Sequence, residues 1–213
     1  MEPFEPWGDN HMPEQLSLPG LDARPASRPV DLHHLFFAIL PDPDTAMRIE
    51  RRAQHLRIEH DLKRRLLPTG HFHVTLHSID TYPYFPQRIA STLKAVAATI
   101  RMPPFDITFD LARSFHRTDH DRPFVLLGSD GTAALKELHA ALGTTLKKAG
   151  FKCNSTLNFT PHLTLLYDKR EIDERAIEPV RWTAREFVLV DSLVGQTKHL
   201  QLARWPLLTR SSI

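Results

Sequence analysis

One short pattern occurs twice in this chain, and it restricts the fold more than any other feature. "TGHFHVTLHSI" (69–79) and "FTPHLTLLY" (159–167) both carry His-x-Thr-Leu. His73 and His162 lie 89 residues apart, and Thr75 and Thr164 follow them at the same offset. Side chains alternate between the two faces of a strand, so His73 and Thr75 point one way, as do His162 and Thr164. Val74, Leu76, Leu163 and Leu165 then point the other way, into a core. Each motif is a polar pair on one face with an apolar anchor behind it. Two such strands are expected to face one shared cleft with two imidazoles and two hydroxyls.

The elements around the motifs repeat in type. "HHLFFAILP" (33–41) reads as a buried strand ended by Pro41, and the charged segment after it as a helix capped by Asp42 or Asp44. The strand at 71–79 follows, then a helix over 86–100 with Ile89, Leu93, Ala97 and Ile100 on one face. "FDITFDL" (105–111) alternates as a half-buried strand, and "RPFVLLGS" (122–129) is another. A helix over 132–150 places Leu135, Leu138, Leu142 and Leu146 on one face and stops at Lys147, Lys148 and Gly150. Strands at 162–167, 186–194 and 198–207 complete the reading. Helices and strands thus alternate twice, with one motif in each half, which predicts two α+β lobes related by a pseudo-twofold.

Residues 1–30 hold six of the seventeen prolines and no strand or helix period, so a disordered tail is expected there, with a single folded domain over 31–213. "QLSLPGL" (15–21) in that tail loosely resembles a sliding-clamp docking peptide, though an ordinary tail segment is the favoured reading. The tail carries a net −3, which leaves about +5 on the rest of a chain whose total is +2. A mildly basic body suits an anionic ligand but lacks the dense patch of a protein that tracks long nucleic acid. Cys153 is the one cysteine, which excludes an intramolecular disulfide and points to a reducing compartment. The longest apolar run, "LFFAIL" (35–40), is far too short to span a bilayer, and the acidic, Pro-rich start is unlike a secretory signal. A cytoplasmic monomer without membrane contact is expected.

Two imidazoles and two hydroxyls suit phosphodiester cleavage. One proton must leave the attacking oxygen and another must reach the leaving oxygen, and histidine does either near neutral pH. Threonine hydroxyls can donate to the non-bridging oxygens. With "HVTL" (73–76) and "PHLTL" (161–165), supported by "LFFAIL" (35–40), "RSFHRTDHDRPFVLLG" (113–128) and "LARWPL" (202–207), the chain resembles the 2H phosphoesterase superfamily. The likeness is to its 2′-5′ RNA ligase-like, RNA 2′,3′-cyclic phosphodiesterase branch, and covers roughly residues 33–207. It implies a bilobal α+β fold with mainly antiparallel sheets lining a central cleft. It also implies cleavage of 2′,3′-cyclic phosphates on RNA ends or nucleotides to 2′-phosphates, with a possible 2′-5′ ligase direction and no cofactor. His73 would match the acid at the 3′ leaving oxygen, His162 the base that activates water, and Thr75 and Thr164 the phosphate holders.

Many relatives carry a basic residue soon after the second motif. Tyr167 and Asp168 stand there in this chain, so Arg113, Arg117 and Arg122 are candidates to replace it. Phe115 is a candidate for stacking on a base, weighed against a place in the core. Tyr167 and His77 are further candidate substrate contacts. His71, His73 and His77 fall on one face of the expected strand in a His-x-His-x3-His spacing that also invites zinc, although the second motif has no matching histidines. The arginines around 48–65 read as a solvated helix face, and Cys153 as inert. The alternative function is a catalytically silent nucleotide- or RNA-binding module with the same cleft.

Overall fold

The structure, a computed structural model, describes residues 31–116, 121–152 and 159–208. The tail with its "QLSLPGL" segment, Arg117 and Cys153 lie outside the described residues. The elements in chain order are β1 (His33–Ile39), α1 (Pro43–Glu59), a 3-10 turn (Thr69–His71), β2 (Val74–Tyr82), α2 (Gln87–Ala97), β3 (Phe105–Ser114), β4 (Arg122–Leu127), α3 (Ala133–Lys148), β5 (His162–Asp168), β6 (Arg175–Ala184), β7 (Glu186–Leu193) and β8 (Lys198–Pro206). The strands form one sheet in the order β6-β3-β4-β5-β2-β1-β7-β8, with every neighbouring pair antiparallel. The expected lobes are the two four-stranded halves of this α+β sheet. They meet between β5 and β2, where Val74 opposite Leu163 is the one backbone pair among the described residues.

Burial explains why β1 is apolar throughout. Leu35, Phe37 and Ile39 join the main core, while Phe36 and Ala38 join a smaller cluster with Val188 and Val190. A strand covered on both faces has no polar side to show. The helices supply the main core from one face of the sheet. Ile49, Ala53 and Leu56 of α1, Ala90, Leu93 and Ala97 of α2, and Leu135, Leu138, Leu142 and Leu146 of α3 all enter it. Helix α1 starts where the Asp42 carboxylate accepts from the Thr45 amide at 2.9 Å and its hydroxyl at 2.7 Å, with Pro43 in the first turn. Helix α3 ends before Gly150, whose φ of +88° is a left-handed stop.

Strand β6 is not anticipated by the sequence. Its segment "RAIEPVRWTA" contains Pro179, which cannot donate to a ladder. It forms a strand because it is the sheet edge and Pro179 falls in a register irregularity, between Phe109–Val180 and Leu111–Ala176. Val180, Trp182 and Ala184 then alternate into the core. Among the described residues no helix is long and apolar enough to cross a membrane.

Candidate active site

Strands β2 and β5 are held in place by their inward residues. Val74, Leu163 and Leu165 are fully buried and Leu76 is 2% exposed. Burying four such side chains is worth roughly 6–12 kcal/mol, and a slip of one residue would expose all four. His73, Thr75, His162 and Thr164 are all half-buried on the opposite side of their strands. Stepping one residue either way from the Val74–Leu163 pair sets His73 opposite Thr164 and Thr75 opposite His162. The local twofold of an antiparallel pair therefore passes between the two motifs and exchanges them. The two histidines become diagonal neighbours, roughly 7 Å or a little less apart at their β-carbons.

The imidazoles are oriented alike. His73 Nδ1 lies 2.7 Å from the His71 carbonyl oxygen, and His162 Nδ1 lies 2.8 Å from that of Thr160. A carbonyl only accepts, so in each ring Nδ1 carries the hydrogen and donates it two residues back. Nε2 is then the nitrogen left for chemistry in both. Each ring also meets a phenylalanine, Phe36 at 4.9 Å from His73 and Phe115 at 4.8 Å, edge-on, from His162. Burial pushes the pKa of His73 below the ordinary histidine value, against the pull of the His71 hydrogen bond, and the nearby charge of His162 pushes the same way. Burial likewise lowers His162, opposed by the hydrogen bond to Thr160.

His77 does not share the open face with His73. On β1, Phe37 and Ala38 are consecutive, yet they pair with His77 and Thr75 of β2, which leaves Leu76 as an extra, bulged residue. The bulge breaks the alternation. His77 turns to the helix side, is 3% exposed, donates from Nε2 to the His139 carbonyl at 2.8 Å and stacks on the His139 ring at 4.0 Å. Helix α3 passes so close that a β-carbon on Gly143 would sit 2.9 Å from the ring. The same bulge recurs in β5, where Phe124 and Val125 pair with Leu166 and Thr164 and leave Leu165 extra. His77 therefore occupies the place of Leu166, also buried. The His71–His73–His77 zinc reading fails for this reason, and no group of three metal-ligating side chains forms among the described residues.

The other candidates divide. Phe115 sits beside His162, with the Arg113 guanidinium 5.3 Å from its ring centre, while Arg113 also pairs with Glu174 at 3.4 Å. Tyr167 is 42% exposed on the same face as His162 and Thr164. Arg122 pairs with Asp168, six residues along β5 from His162 and thus roughly 20 Å away. Its guanidinium is committed to the Lys169 carbonyl at 2.7 Å and to Glu171 at 3.2 Å, so it is not placed at the histidines. His199 joins the site without belonging to either motif. Its ring stacks on His71 at 4.0 Å and meets His73 edge-on at 5.5 Å. Burial lowers its pKa to about 4, and the charges of His71 and His73 add to this. A lone histidine in "KHLQL", 126 residues beyond His73, carries no local signal of that contact.

The family model described as the 2′-5′ RNA ligase superfamily matches residues 41–196, a span that holds both motifs and most of the sheet. The chain belongs to the 2′-5′ RNA ligase superfamily. The chain, in this superfamily of 2H phosphoesterases, shares its α+β fold with solved structures. One, a phosphoesterase, is 26% identical, with 83% of this chain and 99% of that one covered and a TM-score of 0.66. Apo LigT of E. coli is 25% identical, with 84% and 99% covered and a TM-score of 0.64. TT0787 of Thermus thermophilus is 16% identical, with 84% and 100% covered and a TM-score of 0.67, a likeness of fold. No curated protein matches the chain by sequence.

Proposed function

We propose that the protein is a metal-independent phosphodiesterase that opens 2′,3′-cyclic phosphate ends of RNA or nucleotides to 2′-phosphates. The reading rests on one observation. Two imidazoles, related by the local twofold of β2 and β5, each commit Nδ1 to a carbonyl two residues back and leave Nε2 available. Membership of a 2H phosphoesterase superfamily supports it. So do LigT structures, 25–26% identical to this chain, in complex with 3′-AMP, phosphate and ATP.

In this mechanism neutral His162 takes a proton from water at Nε2 as the water oxygen bonds to phosphorus. The P–O3′ bond breaks on the opposite side, and protonated His73 gives its Nε2 proton to O3′. The products are a 2′-phosphomonoester and a 3′-hydroxyl. His162 ends protonated and His73 neutral, and exchange with solvent restores both. Thr75 and Thr164, set diagonally between the rings, donate to the non-bridging oxygens where charge accumulates. A 5′-hydroxyl in place of water yields a 2′-5′ linkage by the same displacement.

The test is hydrolysis of nucleoside 2′,3′-cyclic phosphates in EDTA, with the product read by phosphorus NMR. Wild type should give the 2′-phosphate, and His73→Ala and His162→Ala should each lose on the order of 10²–10⁴ in kcat. Absence of turnover in wild type, or rescue by zinc of an EDTA-killed activity, overturns the proposal. Nucleotide binding without turnover would leave the binding-module alternative.

A further inference from the structure

A segment with three consecutive cations, Lys63, Arg64 and Arg65, stands beside the second motif. The segment joining α1 to β2 runs along the edge of β5 that splays from β2, and the Leu67 amide donates to the Leu165 carbonyl at 2.8 Å. That carbonyl belongs to the bulged residue next to Thr164. Farther along, the Asp168 carboxylate, 5% exposed, accepts from the backbone amides of Lys63 at 2.7 Å, Arg64 at 2.9 Å and Arg170 at 3.0 Å. Burial raises the pKa of this carboxyl, but these amides outweigh it and hold the group below its ordinary value, so the clamp is an anion at neutral pH. The segment is thereby fixed to the strand that carries His162.

What it fixes is a cavity with a definite lining. Lys63, Arg64, Arg65, Leu67, Asp121 and Tyr167 line an open hollow of about 540 Å³. Arg64 pairs with Asp121 at 2.9 Å and Lys63 contacts Asp61, while Arg65 makes no ion pair among the described residues. With the Asp168 anion counted, these three cations are matched by three carboxylates, and Arg65 is the cation left without an ion pair among the described residues. Tyr167 shares a face with His162 and Thr164 because Leu163, Leu165 and Leu166 all enter the helix-side core. It stands three residues from Thr164, about 10 Å along the strand. Cations beside a large exposed aromatic, in line with a reactive end, are the means of holding a single strand without reading its sequence.

We propose that this cavity binds the nucleotides next to the reacting end, with Tyr167 stacking on a base and Lys63 and Arg65 holding backbone phosphates, so that the preferred substrate is a single-stranded RNA end and not a free mononucleotide. As a statement about substrate it rests on the cyclic phosphodiesterase reading; as a binding site it does not. Two measurements separate the two. The first is fluorescence anisotropy of a labelled single-stranded oligoribonucleotide with an ordinary 3′-hydroxyl, which needs no turnover. Lys63→Ala with Arg65→Ala should weaken binding tenfold or more and flatten its salt dependence. Tyr167→Ala should weaken it several-fold and Tyr167→Phe should restore it. Lys94→Ala, which removes a charge from exposed α2, controls for net charge. The second is the ratio of kcat/KM for an oligonucleotide ending in a cyclic phosphate over that for the mononucleotide, which should collapse in the same variants. Unchanged RNA binding in the double variant, or equal weakening by Lys94→Ala, overturns the site even if cyclic phosphates are hydrolysed. Weakened binding with no hydrolysis by wild type keeps the site and removes the enzyme reading.

Discussion

Mild acid should destabilise this fold through one buried ring, and the size of the effect can be worked out. His139 of α3 is 3% exposed and lies between two others, His77 at 4.0 Å and Phe159 at 3.9 Å, both nearly parallel to it. Burial, then the charges of His77 and Lys147, lower its pKa from 6.5 to about 4. The fold therefore prefers the neutral ring, and the unfolded chain takes up the proton first. The stabilisation is complete above pH 6.5, falls as the pH drops below it, and is gone by about pH 4. At pH 5 the loss from this residue is about 2 kcal/mol. With a urea dependence of roughly 2 kcal/mol per M, the midpoint should move down by about 1 M. His139→Phe keeps a flat ring in the stack and cannot titrate. Urea unfolding, followed by the fluorescence of buried Trp182 at pH 8 and pH 5, should show a clearly smaller acid shift in this variant than in wild type. Other histidines titrate in both proteins, so only the difference between them counts. Equal acid shifts would refute the argument, and His139→Leu repeats the comparison if the phenylalanine packs poorly.

Two further outcomes follow from the paired motifs. Burial lowers both His73 and His162, so the bell-shaped pH profile of kcat/KM should have its optimum on the acid side of 6.5, and that of kcat should lie at higher pH because a bound phosphate anion favours both protonated rings. A kcat/KM optimum above pH 8 would contradict the assignment. His77→Leu places in β2 the residue type that β5 carries at Leu166, so it should retain activity within a few-fold and cost about 1 kcal/mol for the lost hydrogen bond. A loss as deep as that of His73→Ala would return His77 to the site.

The alternation of His73, Val74, Thr75 and Leu76 against a core was enough to orient the motifs, because a period of two is a property of any extended chain. The same holds for the Asp42 cap and for the leucine face of α3, whose causes lie within a few residues. Repetition of the motif was enough to bring two strands to one place. Local pattern failed where a distant partner set the geometry. Strand β6 exists as an edge strand despite Pro179 because β3 lies beside it. His77 leaves the open face because β1 offers one residue too few, and only pairing reveals a bulge. His199 reaches His73 through the sheet order β2-β1-β7-β8, across a separation of 126 residues. Asp168, read from the sequence as a departure from the family's basic residue, became the clamp on Lys63 and Arg64 only once the α1–β2 connection lay along β5. The sequence by itself therefore determined which side chains each strand shows and hides, since that depends on backbone period and hydrophobicity. Tertiary structure decided which of them meet, since contacts between strands depend on register and order, which no stretch of one strand contains.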